Sequence, residues 1–466
     1  MNTDSTKEDC QTKEVKRTRH GVKTLLSECN EKRKERNRNE KFSPRYPLPV
    51  QIMGWFMRIL LGALFIYSGF TKGVDPWGTF YKFNDYLAAL DLQFSNGVVL
   101  SGVFLLFSFE FVTGVFLTTG CFRRITMVCV AAIMLFMLPL SAWLAIAEPV
   151  SDCGCFGDAW ILTNWQTFWK NVLLSAMVVW LIPVNHRLHW LVTPALQWLV
   201  FTLSAAYIIL IGIIGYNIQP VIDYRPYKVG TNLRGDNQED SDGNPENVVF
   251  IYEKEGKQKE FSIDQEMPDE DEGWTFIGTK GDEQKATEST DGLTVWSAGG
   301  EEDLTDEALS DIGREMIILM PTVSDSSIIS AWSINSLYNW CNSNGVNMVA
   351  ILGSDKRGVD FWRDISMAEY PIYTAEDTTI KEIARGNPGV VYIDNGIIRN
   401  KSTLAAIDND LFQEKAGVED PSRLFMDTSG IFRTITLTYI LLLLTLCVSS
   451  FLPQWIRFLV NMVINR

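Results

Sequence analysis

Six apolar stretches dominate the sequence, at 51–71, 97–119, 125–146, 168–184, 190–216 and 435–452. A helix rises ~1.5 Å per residue and the hydrocarbon core is ~30 Å thick, so about 20 apolar residues cross a bilayer. One buried helix of a soluble domain can imitate such a stretch, but six in one chain cannot be explained that way. The expected fold class is therefore mixed: a polytopic α-helical membrane bundle of about six spans, carrying a polar α/β domain outside the bilayer. No cleavable leader is expected, because about 50 polar, basic residues precede the first stretch.

Charge divides along the same boundaries. Residues 1–50 hold 13 Lys/Arg against 8 Asp/Glu, and residues 51–217 hold 7 of each. Residues 218–433 hold 19 against 41, and most of the net charge of −15 comes from them. A nucleic-acid binder is disfavoured, since phosphate needs a basic face and the large polar region is acidic. Basic loops mark the cytoplasmic side of a membrane protein. The extension 1–50, the turn at Arg123-Arg124, the turn His186-Arg187-Leu188-His189 and the tail with Arg457 and Arg466 all fall on one side. Both termini are thus expected in the cytoplasm of a cell with an inner membrane. Segments 72–96, 147–167 and 218–433 are expected in the periplasm. Residues 453–466 read as an amphipathic tail lying at the interface.

Two charges lie inside apolar stretches, Arg58 in the first and Glu110 in the second. Counted from the cytoplasmic ends, they lie ~10 Å and ~13 Å deep. Unpaired charge in hydrocarbon is expensive, so an intramembrane Arg58–Glu110 pair is expected. It serves either to lock two helices or to line a polar or small-molecule pocket.

The loop Val150-Ser151-Asp152-Cys153-Gly154-Cys155-Phe156-Gly157-Asp158 places two cysteines one residue apart on the oxidising side. Glycine between them relieves the steric demand of a small ring. A strained bond of this kind is easily reduced, which favours a redox pair over a local staple. No metal is expected, as no histidine falls on this side. Asp152 and Asp158 would raise the thiol pKa, and Lys170 would partly offset them. Cys121 and Cys129 are ~12 Å apart along a helix, beyond the ~7 Å reach of a disulfide. An internal relay between two cysteine pairs is therefore not expected. An electron donor or acceptor would be a partner protein or a cofactor, and lipid access alone leaves room for a quinone.

Residues 58–76, Arg-Ile-Leu-Leu-Gly-Ala-Leu-Phe-Ile-Tyr-Ser-Gly-Phe-Thr-Lys-Gly-Val-Asp-Pro, resemble the first span of DoxX-type membrane proteins. Cys153-Gly154-Cys155-Phe156-Gly157 resembles the loop of the related MauE proteins. The resemblance covers 51–184 and implies a four-helix DoxX-like core. It also implies a setting in methylamine dehydrogenase maturation, which depends on envelope disulfides. The extension 1–50, the fifth span at 190–216 and the sixth within 435–466 depart from that shorter pattern.

Beyond the fifth span, 218–309 reads as an acidic, β-rich segment. It has an acidic linker at 235–245, a hairpin over 248–263 and a strand at 274–277. From 310 to 433 strands and helices alternate: 316–320, helix 326–343, strand 346–352, helix 358–366, then Val390–Ile393 and an Asp394-Asn395-Gly396 hairpin turn. Over about 310–412 this order resembles the thioredoxin fold, which implies a cis bond at Pro388 and a peptide-binding surface beside it. Where that fold carries Cys-x-x-Cys, this chain reads Pro321-Thr322-Val323-Ser324-Asp325-Ser326-Ser327. The domain is thus expected to lack dithiol chemistry, with Cys341 a buried apolar residue.

The function expected from these readings is an integral membrane component of envelope thiol/disulfide redox or protein maturation. It would be part of a thiol–disulfide oxidoreductase system, with Cys153 and Cys155 exchanging. The alternative is a non-catalytic scaffold that docks an envelope partner protein. The lipid bilayer is the other expected partner.

Overall fold

A computed structural model describes residues 47–150, 153–186, 188, 191–234, 249–254, 257–262, 275–280, 292–310, 312–323, 328–407 and 420–464. The basic extension up to residue 46, Asp152, Arg187, His189, Arg466, the linker at 235–245 and Ser324–Ser327 lie outside these residues.

Six described helices are long and apolar enough to cross a membrane, as expected of a multi-pass membrane protein. In chain order, α1 is Leu48–Val74, α2 is the shorter Pro76–Ala89, α3 is Asn96–Thr119 and α4 is Arg123–Ala147. Helix α5 is Asn164–Asn185 and α6 is Gln197–Asn217. The boundaries follow local chemistry. Thr163 and Gln166 form a capping box at the start of α5. Asp75 accepts from the Gly78 amide and Pro76 fills the first turn of α2. Gly120, at φ +77°, closes α3 in the left-handed conformation.

Helices α1 and α3 touch through glycines. A Cβ placed on Gly69 would lie 2.5 Å from the Phe111 nitrogen, and one on Gly62 would lie 3.0 Å from the Gly114 carbonyl oxygen. Small residues allow this backbone approach, which in a bilayer replaces the hydrophobic drive as the source of helix association. They also fix the register. Gly62 faces Thr118 and Gly69 faces Phe111 and Phe107, so the helices are antiparallel and α1 overshoots the end of α3.

The polar region holds two sheets. Strands β1 (Val249–Lys254), β2 (Lys257–Ser262) and β3 (Thr275–Lys280) form one antiparallel sheet in the order β2-β1-β3. A short helix α7 (Thr305–Ala308) leads to the second region. It contains β4 (Arg314–Met320), α8 (Ile328–Ser343), β5 (Asn347–Leu352), α9 (Lys356–Ser366), β6 (Ile372–Thr374), α10 (Asp377–Ile383), β7 (Gly389–Asp394) and β8 (Ile397–Thr403). The order is β6-β5-β4-β7-β8, with β4, β5 and β6 parallel and β7 and β8 antiparallel to their neighbours. Central strand β4 is covered on both faces. Met316, Ile318 and Met320 join one core with Ile334 and Trp362, while Ile317 and Leu319 join another with Ile380 and Ile383. That double burial explains why it reads as an unbroken apolar run.

The last helix, α11, runs unbroken over Thr428–Ile464. Residues 453–464, read from sequence as an interfacial tail, continue the same helix past the membrane-length stretch Thr428–Ser450. Sequence reading also missed α2, β6 and α10. Their apolar stripes are short, and β6 has three residues.

Candidate functional site

The cysteine loop follows α4 and folds back over the end of the bundle. Gly154 sits at φ +60°, a conformation that side-chain-bearing residues rarely adopt. Each carbonyl of the Cys-Gly-Cys segment has a partner. The Tyr86 hydroxyl of α2 donates to the Cys153 carbonyl. The Gly157 amide donates to that of Gly154 at 3.1 Å. Lys72 Nζ and Ser68 Oγ of α1 donate to that of Cys155 at 2.6 and 2.7 Å. With the backbone held, the Cys153 and Cys155 sulfurs stand 2.8 Å apart as free thiols.

Below the loop lies a buried charge pair. Lys72 Nζ reaches Glu110 Oε2 at 2.8 Å, both side chains about 95% covered. Ser68 Oγ lies 2.9 Å from the same carboxylate, which competes with the Cys155 carbonyl for its one hydrogen, and Lys72 donates to Ser68 at 2.7 Å. The expected Arg58–Glu110 pair is therefore corrected: Glu110 pairs with Lys72. The depth count had set the ends of the two helices flush, whereas the glycine register slides α1 beyond α3. Arg58 lies four residues before Gly62 and so meets the end of α3, where its Nε donates to the Leu117 carbonyl at 2.5 Å. Its guanidinium also lies 4.8 Å from the centre of the Trp55 ring. A cation at carbonyls of a helix C-terminus is favourable. Lys72 was missed because it stands one residue beyond the apolar stretch as drawn.

The sulfurs are not equivalent. The Cys153 hydrogen bond to Cys155 holds the Cys155 thiol below the ordinary cysteine range, and the charges of Lys170 and Lys72 add to this against burial. Cys153 is pushed up, by that same hydrogen bond and by burial. Asp158 does not face the thiols as expected. Its carboxylate meets Arg385 Nη2 at 2.7 Å. Lys170 also lies 4.3 Å above the Phe156 ring, which stacks on Trp160 at 5.6 Å.

Arg385 precedes β7 and joins the α/β region to this site. Its guanidinium bonds Asp75 Oδ2 at 2.7 and 2.9 Å as well as Asp158. Its backbone nitrogen and carbonyl both bond the Gln219 amide, at 3.0 and 2.7 Å. No sequence pattern marks Arg385, because its two carboxylates lie 310 and 227 residues away.

Pro388, three residues on, follows a cis Asn387–Pro388 bond. Asn387 Nδ2 donates to the Thr322 carbonyl at 2.7 Å, joining the approach to β7 to the end of β4. Cys341 is buried in α8 and burial pushes its thiol up to about 12.

Residues 50–184 match the family model described as methylamine utilisation protein MauE. That region is a MauE-family domain, DoxX-like in its membrane helices. Residues 247–282, spanning β1 to β3, match a domain of unknown function, DUF8463. No curated protein matches the chain.

Proposed function

We propose that this protein is a membrane-bound component of envelope thiol–disulfide exchange in protein maturation, with Cys155 as attacking thiolate and Cys153 as resolving thiol. One observation carries the reading: two free sulfurs 2.8 Å apart on a backbone held at every carbonyl, with Lys72 bonded to the Cys155 carbonyl and Lys170 over the neighbouring Phe156 ring. In the step, the Cys155 thiolate attacks one sulfur of a partner disulfide. The partner bond breaks, and its other sulfur leaves as a thiolate. The Cys153 thiolate, formed as its proton passes to solvent, then attacks Cys155, closing an intramolecular disulfide and releasing the partner's second thiolate. Two electrons pass to the partner, whose thiolates take up protons. The reverse sequence oxidises the partner. The name of the MauE family ties the domain to methylamine utilisation, so the proposed client is an envelope enzyme requiring disulfides.

The basic sequence of residues 1–50 and the turn at Arg123-Arg124 support placing the termini in the cytoplasm of an inner-membrane protein and the cysteine loop and α/β region in the periplasm. We read the α/β region as a thioredoxin-like module without its own thiol pair. Support comes from its strand order, the α8 crossover and the β7–β8 hairpin. Its role would be to hold a client peptide beside Pro388.

A scaffold is the competing reading, favoured by the burial of Cys153, which is 8% exposed. Mixed-disulfide trapping separates the two. A Cys153→Ser variant should accumulate a reducible adduct through Cys155 in native membranes. Absence of any adduct from either single-cysteine variant favours the scaffold.

A further inference from the structure

A cavity of about 230 Å³ lies against the cysteine pair. It is lined by Phe83 and Leu87 of α2, by Leu90 just past that helix, by Leu106 of α3, by Phe136 and Leu140 of α4, and by Cys153 and Cys155. The α2 residues recur at three- and four-residue spacing, so one face of that helix roofs the space. Phe136 and Leu90 are 65% and 51% exposed, and Phe136 belongs to a membrane span. A molecule dissolved in the bilayer therefore reaches the sulfurs without crossing water. The polar side chains of its lining are Lys72, Thr79, Lys82, Tyr86 and Asp158, of which Tyr86 and Lys72 already donate to the two cysteine carbonyls.

In the reverse sequence, which oxidises the client, the exchange leaves the pair as two thiols, and these need an electron acceptor. Among the described residues Cys121, Cys129, Cys341 and Cys447 are free, and none lines this cavity. We propose that the cavity binds a lipid-soluble quinone, which reoxidises the reduced Cys153–Cys155 pair. This rests on the exchange reading above. The step balances: two thiols and one quinone give one disulfide and one hydroquinone. The sulfurs give up two electrons and two protons as the S–S bond forms, and the two quinone oxygens take them. An apolar cavity suits the ring and tail.

The test uses the full chain in phosphatidylcholine vesicles, pre-reduced and freed of reductant, with decylubiquinone as probe under anaerobic conditions. The proposal predicts one hydroquinone formed, by ultraviolet absorbance, for every two thiols lost, by maleimide mass shift. A Leu140→Trp variant, which fills the cavity, should slow this at least tenfold while leaving exchange with a small peptide disulfide unchanged. An azido-substituted quinone should photolabel α2 or α4 within the cavity, a readout that stands if Leu140→Trp fails to fold. Disulfide exchange without quinone reduction or labelling would overturn the quinone site, leave the exchange reading standing, and point to a lipid chain or client side chain as occupant. Loss of both activities would sink the exchange reading with it.

Discussion

Cys155 differs from a surface thiol in its surroundings: a second sulfur at 2.8 Å and the positive charges of Lys170 and Lys72, which with the Cys153 hydrogen bond hold its thiol below the ordinary range. Its alkylation should therefore reach half-maximal rate at a pH below the ~8.5 of an unperturbed cysteine. A depressed pKa means the reactive thiolate is present above that midpoint and lost as pH falls through it. Cys153→Ala removes the donor and should raise the midpoint, as should Lys170→Met. An unchanged midpoint in both, by stopped-flow iodoacetamide kinetics, would refute this account of the sulfur. Arg385 offers a second test. Removing it by Arg385→Met leaves Asp75 and Asp158 without their shared cation, and breaking a buried pair costs about 3 kcal/mol or more. Asp158→Asn should cost less, since that side chain is 32% exposed. Thermal unfolding of the detergent-solubilised protein reads both.

The α1–α3 contact rests on glycines whose positions are visible in sequence but whose partners are not. Gly69→Val puts methyl groups against the α3 backbone and should destabilise the bundle by about 2 kcal/mol. Gly102→Ala has open space around it and should stay within ~0.5 kcal/mol of the parent. Equal melting temperatures for the two would contradict the register. That register also explains how sequence reading went astray at Arg58 and Glu110. The six long apolar helices were legible because hydropathy depends on composition over about 20 residues; the first four were placed within four residues of their ends, whereas α6 begins seven residues later than the stretch drawn and α11 begins seven earlier and ends twelve later. Which charge meets which depends on how far one helix slides past another, and no single-chain pattern records that. In the α/β region the buried strands β4, β5 and β7 announced themselves as apolar runs. Short α10 and three-residue β6 carry too few residues to show a period. Helix α2 does carry one, at Phe83, Leu87 and Leu90, but inside a segment read as a loop between spans.

At the scale of the whole molecule, the structure brings the cysteine loop, α2 and the α/β region to one end of the bundle through Asp75, Asp158 and Arg385. Cys153-Gly154-Cys155 could be picked out in sequence because a spaced cysteine pair is a local pattern. Ser68, Lys72, Tyr86 and Arg385 could not, since each acquires its role through a partner at least 38 residues away. If this end faces the periplasm, impermeant maleimide should label Cys153 and Cys155 in intact, mildly reduced cells, and Cys10 and Cys29 only after lysis. Whether the pair cycles between dithiol and disulfide is tested most directly by equilibrating the full chain in graded thiol–disulfide buffers. The fraction of doubly alkylated Cys153/Cys155 peptide is then read by mass spectrometry. A reversible two-electron curve, abolished by Cys153→Ser or Cys155→Ser, is the predicted result. A pair that stays fully reduced, or fully bonded, across the whole range would contradict it.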